Sequence, residues 1–563
     1  MRTTQLPAAV VGAAIICAIA ALPACQSHAP RAPKAEVPTP GATGSILYTG
    51  VDRYHFPITT DSAECQQWFD QGIQLIFGFN HLEAMRSFQE AAARDPDAPM
   101  PWWGIAYCWG ANINDPAMTK DRYQHATTAI HNAMLRVDRA SDLESALINA
   151  LAVRYEYPEK RPQKELDEAY AGAMQRVWES YRNNPDVGAL YAESLMNLQP
   201  WKLWTVDGQP LGRTTEICEV LEIAIANDPT HPLANHLYIH AVEASPHPEK
   251  ALPAAAVLET RIPGSGHLVH MPSHIYVRTG MYAEAADSNE EAIAIDRAFF
   301  AEAPPAAIYY MYYGHNLHFL AYAAMMEGRY ETALRAARDL EAEIPAQAVR
   351  EFAFVIEGLM STSRHVMIRF GKWDQILVQP APPADQPVST AVHHYSRGVA
   401  LAALGRPEEA RKELALFDAA AATIPADWFL MQNKIADILP VARCMLVGEI
   451  LFREGRYDES FAMLRQGVAY EDALVYDEPP GWMIPVRHAL GALLMDNGRY
   501  AEAELVYRED LARNRNNGWS LLGLTLALEK QGKSAELRTL EPQMAAAWAR
   551  ADMQPTSSCM CAP

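Results

Sequence analysis

The 563-residue sequence lacks the short signatures that announce most enzymes. There is no Gly-x-Ser-x-Gly elbow, no phosphate-binding glycine loop ending in lysine, and no Gly-x-Gly-x-x-Gly opening a helix after a strand. The usual hydrolase, kinase and dehydrogenase sites are therefore excluded. His-Glu-x-x-His is missing as well, so ordinary zinc-peptidase chemistry is not supported. The alternating β-branched pattern of strands is nearly absent. Positive charge is short, with 47 Lys plus Arg against 68 Asp plus Glu and a formal charge of -21. Such a surface repels phosphate backbones, so nucleic acid is not an expected partner. Eight cysteines are too few to staple a chain of this length. What is plentiful is hydrophobic residues, 50% of the chain, enough to bury a core and to exclude disorder as the main state.

The longest apolar run sits at the N-terminus. Met1 to Ala24 carry one charge, Arg2, ahead of Val10, Val11, Ile15, Ile16 and Leu22, a secretory pattern too short to span a membrane comfortably. Leu22-Pro23-Ala24-Cys25 resembles the lipobox of bacterial lipoproteins, an ordinary signal peptide with a chance cysteine being the alternative. The resemblance implies a signal peptide over 1–24, lipid on Cys25 and, with Gln26 following, anchoring to the outer membrane of a bacterial envelope, facing the periplasm. Residues 25–60, with Pro30, Pro33, Pro38 and Pro40, read as an extended tether. Cys65, Cys108, Cys218 and Cys444 read as buried thiols. Cys559 and Cys561 lie in a polar tail, 552–563, that is either a soft-metal site for an ion such as Cu(I) or a frayed end without a role.

From 61 to 551 apolar residues recur every three to four positions among Ala, Leu, Glu and Arg, which predicts an all-α fold. A glycine joint repeats at Gly280, Gly328, Gly371, Gly405, Gly455, Gly498 and Gly532, with steps of 48, 43, 34, 50, 43 and 34 residues. An aromatic commonly follows two residues later (Tyr282, Tyr330, Trp373, Tyr457, Tyr500), and a small residue such as Ala285 or Ala333 three further on. Glycine allows the tight turn and the small residue lets the next helix approach. Gly78 begins an earlier joint, followed by Ala84, Phe88, Ala92 and Pro96. These joints resemble those of the tetratricopeptide repeat family. The resemblance implies a helix-turn-helix solenoid with a concave groove lined by the first helix of each pair, and a peptide or protein partner held in that groove. Stretches near 110–230 and 375–390 show no clear joint.

Histidine is abundant and uneven, with seven of 18 between His231 and His274. His236 and His240, and His270 and His274, are four apart, while His315 and His318 are three apart. Each pair therefore shares one helical face. His270 and His274 lie ten and six residues before Gly280, and His315 and His318 thirteen and ten before Gly328. If Ser245-Pro246 replaces a glycine joint, His236 and His240 fall in the same phase. Six imidazoles from three neighbouring helices are then expected to face one space, as ligands for a transition metal such as Cu, Zn, Ni or Fe. An unmetallated polar groove is the competing expectation. His231, His247 and His267, beside proline or glycine, read as turn residues that either support the ligands from behind or lie at the surface. Glu193 reads as an additional anionic ligand or a catalytic base, and Arg487 with His488, ten residues before Gly498, as a substrate anchor. Two functions follow: metal binding, with or without metal-dependent hydrolysis or oxidation, and a scaffold for an envelope partner.

Overall fold

The computed structural model describes residues 37–561 apart from 159, 303, 304, 306 and 307. Cys25 and the signal sequence lie outside the described residues. The chain is a succession of antiparallel helix pairs, beginning with Ala63–Phe77 and His81–Arg94 and ending with Gly518–Lys530 and Ser534–Ala547. The strands among the described residues form one two-residue hairpin, in which Phe429 pairs with Lys434 and Leu430 with Asn433. No described helix is long and apolar enough to cross a membrane.

All seven joint glycines have φ between 62° and 79°, the left-handed region in which a side chain is strained. The joint at Gly78 is built differently. Gly78 has φ -96°, and its neighbour Phe79 takes the left-handed turn at φ 57°. The stretch near 110–230 is also paired helices, among them Gln163–Ser180, Pro185–Met196 and Thr214–Asn227. Its joints are masked in the sequence because the loop 200–212 turns through Trp201 at φ 60° and a bridge between Trp204 and Pro210.

The superhelix winds back onto itself. A Cβ on Gly280 would sit 2.4 Å from the Arg515 carbonyl, and the Trp519 indole donates to Met325 O at 2.9 Å. Arg550 pairs with Asp287 at 2.7 Å. At the other end, Gly264 N donates to Gly50 O at 3.2 Å. The groove is thus enclosed, and the histidines expected to face an open channel are buried.

Both ends of the array depart from the sequence reading. Residues 41–60 are a strap packed on the first helices, not a free tether. Tyr48 N donates to Gln71 Oε1 at 2.7 Å, Thr59 N to Glu144 Oε1 at 2.7 Å, and Val51 and Phe56 are buried. The tail is docked as well. Asp552 accepts from Tyr330 N at 2.7 Å and Glu331 N at 2.9 Å, satisfying donors that open the helix Tyr330–Glu343. Asp552→Ala is expected to cost about 1 kcal/mol, the usual worth of a helix cap, read as a lower midpoint in urea unfolding followed by circular dichroism.

Candidate metal centre

Three first helices carry the histidines. The helix Pro232–Val242 opens on His231, whose Nδ1 accepts from Ala234 N at 3.0 Å, so His231 is a helix cap. Next come Gly266–His270 and Pro272–Thr279, the first capped by Ser265, and then Tyr309–Met326. His267, His270 and His274 run at i, i+3 and i+7 along one side. His267 is therefore inside a helix. Gly266 serves close packing there, because a Cβ would fall 2.1 Å from Asp296 Oδ1.

The six-ring site resolves into two sets of three. His236, His240 and His267 form one, and His270, His274 and His315 the other, each with ligand atoms within 4.8 Å of one another. Each is a pair four residues apart completed by a single ring from the next first helix. In the first set His236 Nε2 lies 3.1 Å from His240 Nε2 and 3.2 Å from His267 Nε2. In the second His274 Nε2 lies 2.8 Å from His270 Nε2 and 3.5 Å from His315 Nε2. Two nitrogens bound at 2.0–2.1 Å to one tetrahedral ion are about 3.3–3.4 Å apart, so this spacing suits one ion per set.

The opposite ring nitrogens fix which atoms face inward. His236 Nδ1 lies 2.7 Å from the Phe77 carbonyl, which only accepts, so Nδ1 carries the proton and Nε2 is bare. His270 Nδ1 donates to Asn289 Oδ1 at 2.7 Å, and Asn289 is oriented by its own donation to Ala285 O at 2.7 Å. Glu243 takes the other two, with Oε1 3.1 Å from His240 Nδ1 and Oε2 2.6 Å from His274 Nδ1. In both pairs, bare Nε2 lone pairs are held face to face, an arrangement favoured by a cation between them. Imidazoles whose outer nitrogens bind carbonyls and carboxylates are the expected support of a metal site. Among the described residues, nothing hydrogen-bonds to Nδ1 of His267 or His315.

Aromatic walls hold the rings. Phe79 packs on His236 at 4.7 Å and His267 at 5.4 Å, and Phe319 on His270 at 5.1 Å and His274 at 5.3 Å. Burial first, and neighbouring rings second, push His236 and His267 well below the ordinary imidazole range. His270 and His315 are shifted the same way for the same reasons. Burial also works to raise Glu243, but His274 and His240 outweigh it and hold the carboxyl down to about 2. Because burial keeps His236, His267, His270 and His315 neutral at pH 7, metal uptake on these rings is expected to release few protons, less than about one per ion. Calorimetric titration in two buffers of different ionisation enthalpy checks this: nearly equal heats are expected.

A cavity of ≈ 350 Å³ opens onto both sets, with His240 and His267 from one and His274 and His315 from the other in its wall. Trp201, Met311, Tyr312 and Met431 give it an apolar side, and Glu243, Asp477 and Glu478 an acidic one. Trp201 and Met431 are both non-glycine residues at positive φ, a strain of the kind that collects at functional sites.

The remaining sequence candidates are placed elsewhere. His318 turns away from His315, with Nε2 3.3 Å from Met483 Sδ. Glu193 is buried and accepts from the Tyr107 hydroxyl, and burial raises its carboxyl; no described contact joins it to the imidazoles. Arg487 is spent on Asp472 through two bonds of 2.8 and 2.7 Å. His488 is buried between Asp510, 2.9 Å away, and Arg369, 2.8 Å away. Neither is free to anchor a substrate. Glu243 and His267 were the members missed. Their signals were the three-residue step from His240 and the i, i+3, i+7 stripe.

No protein-family model matches the sequence, and no curated protein matches it. Solved structures with a similar course of chain include a human IFIT1 dimer with m7Gppp-AAAA, at 13% identity, 87% of this chain, 91% of that chain and a TM-score of 0.30. The APC/C hetero-tetramer Cut9-Hcn1 follows at 13% identity, 85% and 79% coverage and 0.29, and yeast Tom70 at 10%, 87% and 93%, and 0.28. Overlap at these scores is partial, and the repeat architecture rests on the chain's own left-handed joints. The fold is a tetratricopeptide-like helical array. Within this array the histidine sets occupy three consecutive first helices; Glu243 caps the first of these and Phe319 lies on the third, while Phe77 and Asn289 come from other helices packed against them.

Proposed function

We propose that this protein binds two transition-metal ions side by side, one on His236, His240 and His267 and one on His270, His274 and His315. The observation that carries the reading is the pair of opposed, bare Nε2 atoms in each set, fixed from behind by Phe77, Asn289 and Glu243. An all-imidazole first shell suits Cu, Zn or Fe over Mg or Ca. Three ligands leave a coordination position for a small molecule admitted to the cavity. Zinc in that position supports hydrolytic chemistry, and copper or iron supports oxidation. The chain's own contribution is to fix the rings and to line the cavity beside them with Glu243, Asp477 and Glu478, the last 3.2 Å from His274 Nδ1. The envelope location rests on the sequence around Cys25.

Elemental analysis of protein purified without a histidine tag or chelator is expected to give about two equivalents of one metal, and chelation to lower the melting temperature. Metal-free preparations whose melting temperature ignores added Cu, Zn and Fe would overturn the reading. A second role, holding a protein partner, is favoured by the array's grip on extended segments of its own chain, the strap at 41–60 and the tail after Ala551.

A further inference from the structure

The C-terminal tail brings a second donor set into the array, far along the chain from the histidines. Ser558 Oγ donates to the His488 carbonyl at 2.8 Å and lies 2.7 Å from the Tyr507 hydroxyl, while Arg369 donates to Ser558 O at 3.0 Å. Arg453 donates to the Cys561 carbonyl, and Cys561 is buried. These bonds seat Cys559 and Cys561, joined to each other as a disulfide, against Glu449 of the helix Ile435–Arg453. Ligand atoms of the three residues lie within 4.8 Å of one another.

The Glu449 side chain is 3% exposed, its Oε2 accepts no hydrogen bond from the described residues, and the nearest Arg453 nitrogen stands off at 3.9 Å. Burial, partly offset by Arg453, pushes the carboxyl up to about 7. A void of ≈ 20 Å³ lies between Glu449 and Cys559, bounded by Met445 and Arg369, room for one small ion. A carboxylate buried beside two sulfurs, with its cationic neighbour Arg453 held off at 3.9 Å, is costly to keep charged unless a cation joins them.

We propose that Cys559, Cys561 and Glu449 form a redox-gated site for a borderline divalent cation of the zinc type, distinct from the histidine centre. Two thiolates and one carboxylate are a zinc-like donor set. The disulfide form cannot bind, since each sulfur is committed to the other. A dithiol reductant opens the site: the Cys559–Cys561 bond takes up two electrons and two protons, and the reductant leaves as its cyclic disulfide. The ion then displaces both thiol protons to solvent as the thiolates bind.

Cobalt(II) is the probe, because thiolate ligation gives a near-ultraviolet charge-transfer absorption that imidazole ligation does not. The result is therefore independent of the histidine reading. Full-length protein reduced with a dithiol and desalted without air is expected to gain this absorption as cobalt is added in excess of three equivalents, enough to fill the histidine sets as well, and the oxidised protein to show none. The absorption should disappear in reduced Cys559→Ser/Cys561→Ser protein, and Glu449→Gln should bind roughly tenfold or more weakly. An absent band in reduced wild type overturns the proposal. So does a band that survives the double serine change, or an unchanged affinity in Glu449→Gln. The oxidised wild type has the same sequence and controls for any variant that folds poorly.

Discussion

Glu243→Gln is expected to weaken metal binding at both histidine sets together. Glu243 is buried and gives one oxygen to His240, in the first set, and the other to His274, in the second. Glutamine keeps one acceptor and turns an NH2 group toward the second ring, which must then rotate or move its proton to the nitrogen that should bind metal. Loss of such a supporting carboxylate typically costs 10–100-fold in metal affinity, here at each of two sites. His236→Ala gives the contrasting result. It removes a ligand from one set only, so stoichiometry should fall from about two to about one while the other set keeps its affinity. Titration against a competing chelator of known affinity reads both. Glu243→Gln protein that binds two ions as tightly as wild type would show that the carboxylate does not orient the rings.

Asp510→Asn should be the most destabilising conservative change near the tail, with no effect on metal bound per folded molecule. Asp510 is 1% exposed and accepts from Ser520 at 2.7 Å, Asn517 at 2.9 Å and Asn514 at 3.0 Å, with His488 Nε2 at 2.9 Å. An asparagine there aims its own N–H groups at donors and removes the charge facing His488 and Arg369. Removing one member of a buried charged network costs about 3–5 kcal/mol. The network also sets a pH dependence. Burial works to raise Asp510, but His488 and the hydroxyl and amide donors outweigh it and hold the carboxyl down to about 2, below its ordinary 3.8. Between those values the unfolded chain binds the proton more readily, so this contribution is complete above about pH 3.8 and is lost as pH falls toward 2. Urea unfolding at pH 7 and at pH 3 tests both statements: the variant's deficit should shrink at the lower pH. An equal deficit at both would mean that charge is not the cause.

Much of the centre was legible because helical phase is local. Counting back from Gly280 and Gly328 places His270, His274 and His315 on the inner side of their helices, and the four-residue step between His236 and His240 does the same. Local phase could not choose partners. His315 and His318 share a face, yet one ring meets His274 and the other meets Met483, which arrives from 165 residues later in the chain. His267 was misread because glycine beside histidine usually marks a turn, whereas Gly266 is there to let Asp296 come close. Arg487 and His488 were in phase with the groove but not available to it. Asp472 and Asp510 lie on neighbouring helices and claim them first.

Sequence by itself determined the all-α class, the glycine joints, and the three consecutive helices that carry the histidines. Spacing along a helix and the steric demands of a left-handed turn are properties of neighbouring residues. Only the tertiary structure decided that six rings become two sets of three, that Glu243 serves both, and that strap and tail are packed parts of the body. Those outcomes depend on superhelix closure, which brings Phe77 to His236 and the tail to Glu449 across distances in sequence that no periodicity encodes.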